Sequence, residues 1–321
     1  MQPTVLNFKL TTITMHPIRI IITTFSFALL LLSCEKEIEF KGDIAKRKLV
    51  LNSDFTPDSS WNVNLSHSLS LGEVGEAGPV TNAVVQIKNA AGDLVTVLEH
   101  DSGGIYTSSV PPQAGEVYAI EADASGYDQI TANGFAPPQV SISVSDTQMT
   151  NFIGWQVFSV DLTIDDPAGV DNYYVIDFET SIYDSLGWLD NFSSSAFSLD
   201  PNNDNSELGD ENSSFSKLFF KDENFDGQSY TTTLLMWGEQ VKHLRDQNNY
   251  YYGSGLERVE LGARVRSVSK DLYLYLKSYE RYVQYSFDPT FSQPVQVYSN
   301  IDKGFGIFGG YTSSSFLYGF E

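Results

Sequence analysis

"VTNAVVQIKNAAGDLVTVLEH", Val80 to His100, carries the pattern that decides the fold class. Aliphatic and β-branched residues flank Ala91-Gly92-Asp93, so the stretch predicts two strands joined by a turn. The same rhythm extends in both directions. Downstream, "SGGIYTSSV" (Ser102 to Val110) and "GEVYAIEADASGY" (Gly115 to Tyr127) continue a hairpin pattern. Upstream, "WNVNLSHSLSL" alternates, with Trp61, Val63, Leu65, Leu69 and Leu71 as apolar positions, and "KLVLNSDFTP" from Lys48 opens the series. Gly, Asp, Ser and Pro punctuate the strands, and no segment before residue 140 has a helical repeat. The expectation for residues 49–139 is an immunoglobulin-like β-sandwich.

Pro137-Pro138 would stiffen the chain and end a sheet edge, which sets the expected domain boundary there. Residues 140–321 predict a larger antiparallel β domain, because "WQVFSVDLTIDD", "NYYVIDFETSIYD", "YTTTLLMW" and "RVELGARVRSVS" all have strand character. Ser193 to Ser216 is polar and Asn-rich and predicts a long loop. One amphipathic helix is expected in "SKDLYLYLKSYERYVQY", with Leu272, Leu276, Tyr279 and Val283 as its apolar stripe and Ser269 as N-cap. After it, the sequence predicts a strand, a glycine-rich turn and a terminal aromatic strand. The fold class is therefore mainly β.

The N-terminal end poses a different question. Cys34 is the one cysteine of 321 residues, so it forms no internal disulfide. It follows an uncharged, largely aliphatic run from Ile20 to Leu32, which has the length of a signal-peptide core and is short for a bilayer span. Arg19 and His16 after Met15 would form a basic n-region if translation began at Met15. Leu31, Leu32 and Ser33 before Cys34 resemble a bacterial lipobox. The expectation is a signal peptide over 1–33, acylation (diacylglycerol and palmitate) of Cys34, an acidic tether over 34–48, and outer-membrane lipid as the anchor's partner. Each buried methylene contributes about 0.8 kcal/mol, so two or more chains hold stably. Glu35, Glu37 and Glu39 are similar to the export signals that send Bacteroidota lipoproteins to the cell surface, so surface exposure is expected. A solvated tether is the alternative.

Lys9 and Arg19 are the only charged residues before Cys34, which leaves 17 Lys and Arg against 41 Asp and Glu, a formal charge of −24. That balance argues against nucleic acid as a partner.

With the C-terminal segment included, the chain resembles Bacteroidota outer-membrane lipoproteins of the domain-of-unknown-function family 4249. The residues that carry the resemblance are "SQPVQVYSNIDKGFGIFGGY" (Ser292 to Tyr311), "SVSKDLYLYLKS" (Ser267 to Ser278) and "FFKDENFDG" (Phe219 to Gly227). The resemblance assigns no reaction and no catalytic residue. It implies an accessory role beside TonB-dependent receptors of the SusC type, hence a non-enzymatic ligand-capture or accessory subunit. A freestanding glycan-binding or adhesive lipoprotein is the alternative, and a hydrolase with an unrecognised site is a third reading.

Candidate chemistry is sparse. His67, His100 and His243 are the histidines after the leader, and no HExxH, nucleophile elbow or phosphate-binding glycine loop is present. Two acidic segments admit structural calcium. "DPNNDNSELGDE" places Asp200, Asn202, Asp204 and Glu211 at positions 1, 3, 5 and 12 of a calcium loop, with Asn205 in place of the turn glycine. "DENFDG" offers Asp222, Asn224 and Asp226 before Gly227, with Thr233 in the bidentate position. Solvated loops with Asx turns are the alternative. Of 43 aromatic residues, Tyr250, Tyr251 and Tyr252 stand in a row and cannot all face one core, so an interface or glycan contact is weighed against a half-buried edge strand.

Overall fold

The computed structural model describes residues 46–70, 75–184, 187–205, 216–237, 256–286 and 295–320. All lie in one compact unit, Ala45–Glu321. Seven strands form its N-terminal part: β1 (Leu49–Phe55), β2 (Asn62–His67), β3 (Val84–Asn89), β4 (Leu94–His100), β5 (Ile105–Thr107), β6 (Val117–Asp123) and β7 (Ile130–Phe135). The rest consists of β8 (Ile142–Phe152), β9 (Trp155–Asp165), β10 (Tyr173–Asp184), β11 (Gly187–Ser194), β12 (Ala196–Phe197), β13 (Lys217–Lys221), β14 (Ser229–Trp237), β15 (Leu256–Val268), helix α1 (Lys270–Ser286) and β16 (Phe305–Phe320). The chain is mainly β with one α-helix among the described residues. No helix among them is long and apolar enough to cross a membrane.

The decisive hairpin forms as the sequence predicts. β3 and β4 pair antiparallel, and Asn89 organises the turn: its Oδ1 accepts from the N–H groups of Ala91 (3.0 Å) and Asp93 (2.9 Å), while Gly92 takes φ +87°. Val85 and Ile87 point inward and are fully buried, while Val84, the first residue of β3, faces out. Leu69, expected as an apolar inward position, lies beyond the end of β2 and is exposed.

The larger sheet runs β11-β10-β15-β16-β1-β2-β5-β4-β3-β6-β7, with β13 paired to β10; a second sheet runs β12-β14-β9-β8. Two main cores result. One gathers the inward residues of β1 to β7 around Trp61, whose ring lies 4.8 Å from Phe55 and 5.0 Å from Tyr118. The other gathers β9, β10, β13, β14, β15 and the start of α1.

β16 serves both. Its residues 305–310 pair parallel with β1, and residues 311–320 pair antiparallel with β15. Neighbouring side chains on a strand face opposite ways. Phe308 therefore enters the Trp61 core and Ile307 the other. The connection after β7 is tied to the same strand, since Gln139 Nε2 donates to Ser313 O at 2.8 Å.

Three sequence expectations change here. The glycine-rich segment is no turn: Gly306, Gly309 and Gly310 lie inside β16, where neighbours come too close for a Cβ. The residues before it, 295–304, form no strand; Asn300 instead grips β16 through its side chain, donating to Phe308 O (2.8 Å) and accepting from Phe308 N–H (3.0 Å). The expected loop from Ser193 begins later, because Ala196 and Phe197 are buried and pair with β14; residues 206–215 lie outside the described residues.

Ser269 caps α1 as expected, its Oγ accepting from Leu272 N–H at 3.4 Å. The buried face is shifted, however. Leu272 and Tyr273 are fully buried, Leu276 and Val283 are half-buried, and Tyr279 is 46% exposed. The helix seats its first turn in the core, and burial falls away along it.

Candidate functional site

The outward face of β10, β15 and β16 holds a cleft of about 510 Å³. Strand alternation builds it: Asp177 and Glu179 leave one side of β10 while Ile176 and Phe178 enter the core, and Arg264 and Arg266 leave the same side of β15. Asp177 sits opposite Arg264, and Glu179 opposite Gly262. Each arginine then reaches diagonally to the next acid. Arg266 donates from Nη2 to Asp177 Oδ1 at 2.9 Å and brings Nε within 2.6 Å of Oδ2 as a close ion pair, and Arg264 meets Glu179 at 3.7 Å.

These pairs differ in weight. The Arg266 side chain is 9% exposed and held by its hydrogen bond to Asp177, whereas the Arg264 and Glu179 side chains are 51% and 38% exposed. An exposed pair of the second kind contributes at most about 1 kcal/mol and stays in contact with solvent. Tyr311 lies over Arg266, 5.5 Å from its ring centre to Cζ. Burial, with Asp54 nearby, raises the Tyr311 pKa, so at neutral pH the phenol remains a hydrogen-bond donor. The cleft thus offers guanidinium and phenol donors beside the carboxylates of Asp54 and Glu179. This arrangement suits recognition of a polar, hydroxyl-rich or zwitterionic ligand.

A second polar region lies where the loops after β9, β12 and β13 meet. Tyrosines there donate to aspartates: Tyr174 to Asp166, Tyr230 to Asp200 and Tyr273 to Asp204. Burial and the acceptor carboxylates raise all three phenol pKa values. Phe225 stacks on Tyr230 at 4.0 Å and seals the region from the core side. Asp166, Asp222 and Asp226 bring oxygens within 4.8 Å of one another.

Residues 35–316 match the family described as a domain of unknown function, DUF4249. The chain belongs to the DUF4249 family. The matched span takes in both cores, α1, β16 as far as Phe316 and the cleft apart from Leu317, so these are features of the matched region rather than additions to it. Comparison with curated proteins gives no match.

The described residues of the first expected calcium loop have these partners. Asp200 Oδ1 accepts from Asn202 N–H at 2.9 Å and its Oδ2 from Tyr230. Asn202 Oδ1 accepts from Asn224 Nδ2 at 2.7 Å. Asp204 faces two ammonium groups, Lys277 at 2.9 Å and Lys221 at 3.0 Å, as well as the Tyr273 hydroxyl at 2.8 Å. Glu211, Tyr250, Tyr251, Tyr252, His243 and Cys34 lie outside the described residues. His67 and His100 stand at the ends of β2 and β4, His100 against the Tyr106 ring at 5.3 Å.

Burial works to raise the Asp204 pKa, but Lys277, Tyr273 and Lys221 outweigh it and hold the carboxyl below its ordinary value. The linkage has a definite sign: the contribution is full above the unfolded value, about 3.9, and is lost as pH falls through the lower folded value. Asp204→Asn is expected to destabilise by about 2 kcal/mol at pH 7 and to weaken the acid dependence of unfolding. Urea titrations at pH 7 and below pH 4 check this; equal losses at both pH values would refute it.

Sequence reading missed the cleft although its signal was present. "YVIDFETS" and "ELGARVRS" alternate so that Asp177 and Glu179 share one face and Arg264 and Arg266 another. Only the pairing of β10 with β15 reveals that the two faces coincide.

Proposed function

We propose that this protein is a lipid-anchored, non-enzymatic outer-membrane component that captures a ligand for, or braces, a TonB-dependent transporter at the cell surface. The observation that carries the binding reading is the cleft on β10, β15 and β16, where fixed donors and half-exposed charges line a concave surface of ligand size. The location rests on the sequence around Cys34: export core, small residue, cysteine and acidic spacer. The N-terminal seven strands are read as an immunoglobulin-like sandwich over residues 49–139. Support comes from inward residues of β1 and β2 meeting those of β3, β6 and β7 in one core.

Cys34→Ala is expected to move the protein from the membrane fraction to soluble or unprocessed forms, measured by fractionation and immunoblotting. Unchanged membrane association would overturn the anchor. Affinity purification from detergent-solubilised outer membrane tests the partner: recovery of a TonB-dependent receptor is expected, and repeated recovery of none would sink the transporter reading.

A freestanding glycan binder is favoured by one feature of α1. Tyr275 and Tyr279 stack with ring centroids 6.0 Å apart, Tyr282 follows at 6.2 Å, and Tyr279 and Tyr282 are each about half exposed. A row of half-exposed phenols presents apolar faces with hydrogen-bonding tips, which suits sugar rings. Glycan-array binding lost in Tyr279→Ala, with no receptor recovered, would select this reading.

A further inference from the structure

We propose that the loops at the start of β10 bind one hard divalent cation of the calcium class through Asp166, Asp222, Asp226 and the side-chain oxygen of Asn172. The three carboxylates place oxygens within 4.8 Å of one another, and Asp166 and Asp222 are 8% and 5% exposed. Among the described residues no lysine or arginine is ion-paired with any of them. Such crowding of buried negative charge needs a counter-charge.

Asn172 supplies the independent observation. It is 6% exposed, and its Oδ1 is buried with no hydrogen-bond partner. Just beyond the last rung of β10 and β13, Asp222 N–H donates to Asn172 O at 3.3 Å and Asn172 N–H to Asp222 Oδ2 at 2.8 Å, so Asn172 stands beside Asp222. It also lies two residues before Tyr174, whose hydroxyl contacts Asp166. Residues two apart on an extended chain share a face, which puts the Asn172 side chain on the side where Tyr174 reaches Asp166.

Backbone amides already hold the acids in place. Asp222 Oδ2 accepts from Asn172 N–H (2.8 Å), Asp166 Oδ2 from Gly227 N–H (2.8 Å) and Asp226 Oδ1 from Gly169 N–H (2.7 Å). Asp222 Oδ1, Asp226 Oδ2 and Asn172 Oδ1 stand outside these bonds. The donors are all oxygens, and the exposed Asp226 side admits water, which fits the six to eight oxygen ligands of calcium. The linear calcium-loop pattern through Asn224 and Thr233 does not form this site. Asn224 donates to Asn202, and Thr233 to Asp161 at 2.6 Å.

The full chain, stripped with EDTA, is titrated with calcium chloride. A saturable rise of about 3–6 °C in melting midpoint is expected at millimolar calcium, with a smaller one for magnesium. Asp226→Asn, at an exposed position, should abolish the shift, while Asp200→Asn should retain it. An identical midpoint in calcium and EDTA, a larger response to magnesium, or a shift that survives Asp226→Asn overturns the proposal. Terbium provides a readout without variants: emission sensitised by nearby tyrosine and displaced by calcium is expected, and a lack of displaceable emission also overturns it.

Discussion

Gly306→Ala is expected to be the most damaging single methyl group in this protein. Gly306 adopts φ +107°, where L-residues are strained, and an added Cβ would lie 2.0 Å from Leu51 O. Neither end can yield easily, because the new Cβ is fixed to one strand and meets the backbone of the other within the parallel ladder of β1 and β16. A loss of about 4 kcal/mol or more follows, enough to remove most folded protein. Gly92→Ala is the control: φ is again positive, +87°, but no atom lies within 4 Å of the new Cβ. There the cost should be about 1 kcal/mol. Equal midpoints for the two variants in urea unfolding would refute the argument.

Trp61→Ala ranks second. Trp61 is fully buried and packs on Phe55, Tyr118 and Phe308, the last with ring centroids 5.9 Å apart. Removing an aromatic of this kind costs about 3–5 kcal/mol. Phe308→Ala should cost a similar amount, and the double variant should fall short of the sum by at least about 0.5 kcal/mol, because the two rings share one cavity. Strict additivity would show that the C-terminal strand does not help pack the N-terminal core. For the same reason residues 46–139 expressed alone, without Phe308 and Ile301, are expected to lack a cooperative melt.

What was legible in the sequence follows from range. Strands whose cue is local alternation, such as β3, β9 and β15, and the turn after Asn89, could be read directly, as could the Ser269 cap. Features set by distant neighbours could not. The glycines of β16 suggest a turn until Leu51 and Ala136 are known to press on them. Tyr279 belongs to an apolar stripe by spacing, yet the helix meets the core through its first turn. The calcium-loop spacing of Asp200 and Asp204 gave no hint that lysines from β13 and α1 reach Asp204. Asp166 and Asn172 carry no cue at all, because their partners Asp222 and Asp226 lie some fifty residues later.

The path of β16 also sets when the molecule can fold. Val50 pairs with Phe305, about 255 residues away, and both main cores take a side chain from the segment around residue 307. Closing so long a loop is entropically expensive, and contacts of such range slow folding. While the chain emerges from the ribosome, β1 has no neighbour on one edge and neither core is complete until the final strand arrives. Late closure leaves the nascent chain open, and it makes strand β16 the latch that ends that state.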